Sequence, residues 1–115
     1  MGTECIFCRI AAGEIPGERI HEDDQMIAIR DINPQAPVHL LLIPKRHIVS
    51  LVDLTPSDHA LLGSLVFAAV ALAEREGLAG RGFRLLVNSG PEGGQTVPHL
   101  HFHLLGGRMM GWPPG

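Results

Sequence analysis

The chain has 115 residues, 45% of them hydrophobic and 18% charged, which fits one globular domain spanning 1–115 and excludes a disordered chain. A formal net charge of −3 provides no broad basic field, so nucleic acid is not an expected partner, and a phosphate ligand would need local donors. No apolar stretch approaches the ~20 residues of a spanning helix, and the N-terminus has no basic-then-apolar export pattern, so no membrane partner and a cytoplasmic location are expected.

The first predicted element is a short helix over Cys5 to Ala12, with Ile6, Phe7 and Ile10 on one face and Gly13 ending it. Its C-x-x-C reads as a metal or redox pair rather than a structural disulfide, and a zinc knuckle is an alternative compatible with the helix. Arg19 to His21 and Met26 to Arg30 have strand character, turned by Glu22-Asp23-Asp24. In Asp31-Ile32-Asn33-Pro34-Gln35-Ala36-Pro37 two prolines block a regular ladder and force a loop. His39 to Ile43 follows as a buried strand stopped by Pro44.

The long helix opens at Thr55-Pro56-Ser57-Asp58, which combines a capping hydroxyl, a proline in the first helical position and a carboxylate three residues after the cap. Leu61, Leu62, Leu65, Val66, Ala69, Val70 and Ala73 recur at helical spacing up to a stop at Gly77. Phe83 to Val87 is a further strand, Asn88 to Thr96 a loop, and His99 to Leu105 a closing strand before the glycine- and proline-rich tail. One long and one short helix among five short strands predict an α+β fold with an antiparallel sheet.

In the closing strand three histidines alternate with Leu100, Phe102 and Leu104, so His99, His101 and His103 are expected on one face, about 6.6 Å apart. Three imidazoles need hydrogen bonds or charge, which a plain core does not supply. They suit either a zinc site or a nucleophile flanked by phosphate contacts. The preceding Gly93-Gly94-Gln95-Thr96 favours the second: unobstructed backbone N–H groups, an amide and a hydroxyl are what an oxyanion needs.

The run His99-Leu100-His101-Phe102-His103-Leu104-Leu105 resembles the histidine triad signature, H-φ-H-φ-H-φ-φ. Gly93 to Pro98, Leu104 to Arg108, Trp112-Pro113-Pro114-Gly115, Ile43-Pro44-Lys45-Arg46-His47 and the 31–37 loop extend the resemblance to the Hint branch over nearly the whole chain. That resemblance implies a five-stranded HIT-like sheet, joined across a two-fold dimer into ten strands by the Thr55 to Glu76 helix and the tail. It implies hydrolysis of purine nucleoside 5′-phosphoramidates through a nucleotidyl-histidine, with no cofactor in the chemistry.

By the same resemblance His101 is the nucleophile, His103 contacts the phosphate, and His39 lies behind the triad and orients it; His99 completes the triad. An imidazole has an ordinary pKa near ~6.5 and can offer a neutral nitrogen at cytoplasmic pH. Asp31 would hold the ribose, and Ile6, Phe7, Ile10, Ile29, Ile32 and Leu41 the purine base. Asn88 and the stretch Gly94, Gln95 and Thr96 would line the phosphate, with threonine where the family often has serine. Arg30 stands where some relatives carry a histidine beside the ribose. Cys5, Cys8, His47 and His99 match a structural zinc set, a role that would draw His99 out of the triad. His21 and His59 read as surface residues. The competing readings are dinucleoside polyphosphate hydrolysis, as in the Fhit branch, and a nucleotide- or zinc-binding interaction module.

Overall fold

Five strands form one antiparallel sheet in the order β1-β2-β3-β5-β4: β1 Arg19–Glu22, β2 Met26–Arg30, β3 Val38–Pro44, β4 Arg84–Val87 and β5 Phe102–Gly106. Two helices accompany it, α1 Ile6–Ala11 and α2 His59–Arg75, in a computed structural model that describes residues 5–115. Strand alternation divides the sheet into two faces. Met26, Ala28, Leu40, Leu42, Phe102 and Leu104 pack beneath α2, meeting its Leu61, Leu65, Ala69, Leu72 and Ala73. Ile27, Ile29, Leu41 and Ile43 face the other way and are covered by Cys5, Phe7 and Ile10 of the α1 segment.

The register carries the polar residues with it. Ile29 pairs with Leu41 and Leu41 with His103, so His39 and His103 come out on the α1 face. Asp31, just past β2, donates its N–H to the carbonyl of His39 and so stands beside that histidine.

Three expectations are corrected. The closing strand begins at Phe102, not His99: the N–H of Leu100 leaves the sheet and donates to the Ile48 carbonyl at 2.6 Å. The three histidines still share the α1 face, His99 and His101 both packing on Phe7, while Leu100, Phe102 and Leu104 lie in the core beneath α2. The Thr55 motif caps a 3₁₀ turn, Pro56–Asp58, that leads into α2. There the Asp58 carboxylate accepts from the Thr55 N–H at 2.9 Å and also pairs with Arg46. Ile6, expected on the buried face of α1 with Phe7 and Ile10, is 48% exposed.

Pro56–Arg75 is, contrary to the first reading, a helical stretch long and apolar enough by composition to cross a membrane. One side of it is the core helix of the domain. Val66, Phe67 and Val70 on the other side remain exposed, so its apolar surface is wider than the sheet can cover.

Candidate functional site

The histidine cluster divides into two centres. Cys5 is the N-cap of α1, its Sγ accepting from the Cys8 N–H at 3.4 Å, which brings both thiols to one end of the helix. Facing them is His99, fully buried. Its Nε2 donates to the Pro44 carbonyl at 2.8 Å, and since a carbonyl can only accept, Nδ1 keeps its lone pair. That Nδ1 lies 3.2 Å from Cys5 Sγ, 3.5 Å from Cys8 Sγ and 3.1 Å from His47 Nδ1; His47 Nδ1 is in turn 3.2 Å from Cys8 Sγ.

Zn–N bonds of about 2.0 Å and Zn–S bonds of about 2.3 Å at tetrahedral angles place ligand atoms roughly 3.3–3.8 Å apart. These four atoms come close to that spacing, and two thiols with two imidazoles are a closed structural donor set. The residues fit zinc. Burial first, and then Cys5, push the Cys8 pKa up to about 11, so a cation is what would draw out its thiolate.

The second centre holds His101, His103 and His39, and its proton positions follow from main-chain partners. His101 Nδ1 donates to the His99 carbonyl at 2.7 Å, so Nε2 retains the lone pair. The Gln35 N–H donates to His39 Nδ1 at 3.0 Å, which puts the His39 proton on Nε2. That proton is directed at His103 Nδ1, 2.9 Å away, while Asp31 Oδ2 lies 3.4 Å from the same nitrogen. His103 must then carry its own proton on Nε2. This N–H is buried and has no hydrogen-bond partner among the described residues. The rings of His101 and His103 are neighbours, with centroids 4.9 Å apart at 56°. Asp31, His39 and His103 could also be viewed as three ligands, but their hydrogen bonds are spent largely on one another.

Several of the residues expected to line a pocket lie around these rings. Phe7 packs edge-on against His101, centroids 4.9 Å apart at 74°, in one cluster with Ile10, Ile29 and Leu41. Ile32 is completely exposed beside Asp31, whose Oδ1 holds the Asn33 N–H at 2.8 Å. Asn88 follows β4, and the Val87–Phe102 pair puts it level with His101.

The glycine-rich loop is more self-contained than its composition suggests. A Cβ on Gly93 would lie 2.5 Å from the Ser89 carbonyl oxygen, so only glycine fits, and Gly94 has φ +82°. The N–H groups of Gly94 and Gln95 donate to Pro91 and Gly90 carbonyls, and the Gln95 amide is engaged by Gly90, Val49 and Val97. Gln95 thus braces the loop, and Thr96 is exposed.

Arg30 is directed elsewhere, making paired contacts to Glu76 at 2.9 and 3.3 Å and one to Glu18 at 3.2 Å. His21 pairs with Asp23, and His59 is exposed at the start of α2. What sequence reasoning missed are the Gln35 N–H and the Pro44 and His99 carbonyls, which set the proton positions; main-chain groups leave no residue-type signal.

Residues 12–110 match the model of the HIT domain. The chain belongs to the HIT domain family. A solved HIT family hydrolase from Legionella pneumophila Philadelphia 1 superposes with a TM-score of 0.95 at 52% identity, over 96% of this chain and 99% of that one. Adenylylsulfatase HINT1 of Arabidopsis thaliana is 49% identical over 113 residues, 96% of this chain and 76% of that protein. The 14 kDa zinc-binding protein of Brassica juncea is 46% identical over 114 residues, 97% of this chain and 100% of that protein.

Within this HIT domain, burial first, and then His101 and His39, lower the His103 pKa to about 4. Burial also lowers that of His39, against an opposing effect of Asp31. An unfolded histidine titrates near ~6.5. Between those values the unfolded chain binds a proton that the folded chain refuses, so stability is complete above ~6.5 and falls as pH drops towards ~4. His103 alone should cost about 3 kcal/mol across that window, with His39 acting in the same direction. Denaturant midpoints taken at intervals from about pH 7.5 to 4.5 should decline steadily; a flat profile would mean that the folded rings take up protons as readily as the unfolded ones.

Proposed function

We propose that this HIT domain hydrolyses purine nucleoside 5′-phosphoramidates through a nucleotidyl-histidine on His101. The observation that carries the reading is the His101 Nδ1–H on the His99 carbonyl, which leaves Nε2 as the free nucleophilic nitrogen. Nε2 attacks the α-phosphorus; the N–P bond to His101 forms as the bond to the amine breaks, and the amine leaves with a proton taken from solvent, which the attacking water gives back in the second step. Positive charge arriving on the ring is held by the carbonyl at Nδ1. The unpartnered His103 Nε2–H donates to a phosphoryl oxygen, and His39 keeps that ring in the donating tautomer. Water then attacks the phosphorus, breaks the N–P bond and releases the nucleotide.

Asp31 would accept the ribose hydroxyls, with Ile6, Phe7, Ile10, Ile29, Ile32 and Leu41 around the base and Asn88 and Thr96 on the phosphate side, where Gly94 and Gln95 shape the loop that carries Thr96. The exposed Ile32 supports this arrangement, since an unpaired apolar side chain beside the ribose carboxylate has a surface to give to a base. A second reading changes only the leaving group: the name of the Arabidopsis relative favours a nucleotide sulfate, and the histidines serve either.

The test is kcat/KM measured for AMP-lysine, AMP-NH₂, adenylyl sulfate and a diadenosine polyphosphate. A phosphoramidate should lead by at least about tenfold (~1.4 kcal/mol). A lead for the dinucleotide, or no turnover of any of them, would overturn the reading in favour of a polyphosphate hydrolase or an interaction module.

We assign a structural zinc to Cys5, Cys8, His47 and His99; when bound it would hold the α1 segment to the 44–47 loop, and its four protein ligands leave no open position for substrate. Free thiols in this role suit a reducing compartment such as the cytoplasm. A two-fold dimer is proposed through the exposed Val66, Phe67 and Val70 and the edge strand β4, joining two sheets into ten strands. Light scattering should give twice the chain mass, and Phe67→Glu should halve it; a monomeric wild type would remove the dimer.

A further inference from the structure

We infer that the Cys5, Cys8, His47 and His99 cluster does more than staple the chain: it holds His99 and Phe7 as positioning residues that aim His101. This rests on His101 being the nucleophile.

The reason lies in where the sheet stops. Strand β5 starts at Phe102, so among the described residues no ladder pairing restrains the backbone of His101. The hydrogen bonds that tie the preceding residues across the chain go instead to the segment 44–48. His99 Nε2 donates to Pro44, Leu100 N–H donates to Ile48, and His99 Nδ1 faces His47 and the two thiols. That segment lies mostly outside regular structure, and His47, exposed like Arg46, reaches Cys8 and His99 from it.

Both groups that flank the His101 ring are anchored there. Its Nδ1 is held by the carbonyl of His99, which is itself a cluster member. Its edge contact comes from Phe7, which sits between Cys5 and Cys8 on α1 and also packs against His99, centroids 5.9 Å apart at 82°. Bonds to a common cation would lock α1 and the 44–48 segment at one separation, and the carbonyl and Phe7 with them. When those bonds are lost, two thiols and two imidazoles are joined by weak contacts alone. The His99 carbonyl can then move off Nδ1, and part of the population turns a protonated nitrogen towards the phosphorus.

The experiment compares zinc-loaded wild type, wild type stripped with a chelator and the His47→Gln variant, with zinc alone as the probe. His47 is chosen because it is exposed and does not touch His101. Nitrogen-15 spectra of the imidazoles at about pH 8, above the ordinary histidine range, report the tautomer. Zinc-loaded protein should show His101 as a single Nδ1–H form. The stripped protein and His47→Gln should show averaged nitrogens and a kcat about tenfold lower, with KM changed less than about twofold. Zinc returned to the stripped wild type should restore both.

The inference is overturned by a wild type that binds no zinc, by zinc-free protein that keeps both the tautomer and kcat, or by a fall in kcat with the tautomer unchanged. Loss of the fold in both zinc-free samples, read by circular dichroism, would make the cluster a staple for the whole domain and overturn the specific link. Failure of the nucleophile reading shows separately: activity surviving His101→Ala removes His101 from the chemistry, while the tautomer comparison still stands or falls by itself.

Discussion

His101→Ala should lower kcat by at least about 10⁴-fold, equivalent to about 5.5 kcal/mol of transition-state stabilisation, while nucleotide affinity stays within a few-fold. The size follows from the role: without Nε2 no N–P bond forms, and water would have to attack unaided in a site arranged for an imidazole. Affinity should survive because the residues proposed for the ribose and base, Asp31, Ile32 and the Phe7 cluster, are separate side chains. Acid-quenched reactions with a labelled nucleotide give the second readout, since the wild type should retain label on protein and the variant none. Full activity in His101→Ala would end the nucleotidyl-histidine mechanism. The methyl group leaves space beside Phe7, so a thermal melt should accompany the assay to establish that the variant is folded.

His103→Ala should cost about 10²–10³ in kcat, or roughly 3–4 kcal/mol, the usual price of removing one preorganised donor to a developing oxyanion. The Nε2–H of His103 is buried and unpartnered among the described residues, so it costs desolvation in the free protein and returns that cost only when an acceptor arrives. The same substitution takes away the nearest acceptor of the His39 Nε2–H, which must turn to Asp31 Oδ2 at 3.4 Å. Asparagine can both accept from His39 and donate forward, so His103→Asn should recover at least about tenfold over alanine. Equal activity in the two variants would show that the donor has no part in catalysis. A loss appearing in KM alone would assign it to substrate binding.

The elements were largely legible because local rules govern them. The helical spacing from Leu61 to Ala73, the proline-bounded 31–37 loop and the alternation in β2 and β3 each depend on neighbours within a few residues. Boundaries moved where a long-range partner intervened. The Thr55 motif capped a 3₁₀ turn whose Asp58 also pairs with Arg46, and Arg30 turned to Glu76, 46 residues away, which offers a two-pronged partner. Gln95 was legible as a loop residue, but its amide went to Val49 and Val97 and not outward.

The sequence by itself determined the histidine-rich run and the residues that make the chain a HIT domain, since residue type and spacing are written in one dimension. His101 and His103 are two apart, and no folding detail was needed to suspect that they act together. The division of labour came from the tertiary structure. Whether an imidazole nitrogen holds a proton depends on the group it meets, and those groups are the carbonyls of Pro44 and His99 and the N–H of Gln35, common to every residue and silent in sequence. The tertiary structure likewise brought His99 to Cys5, Cys8 and His47, residues far from it along the chain.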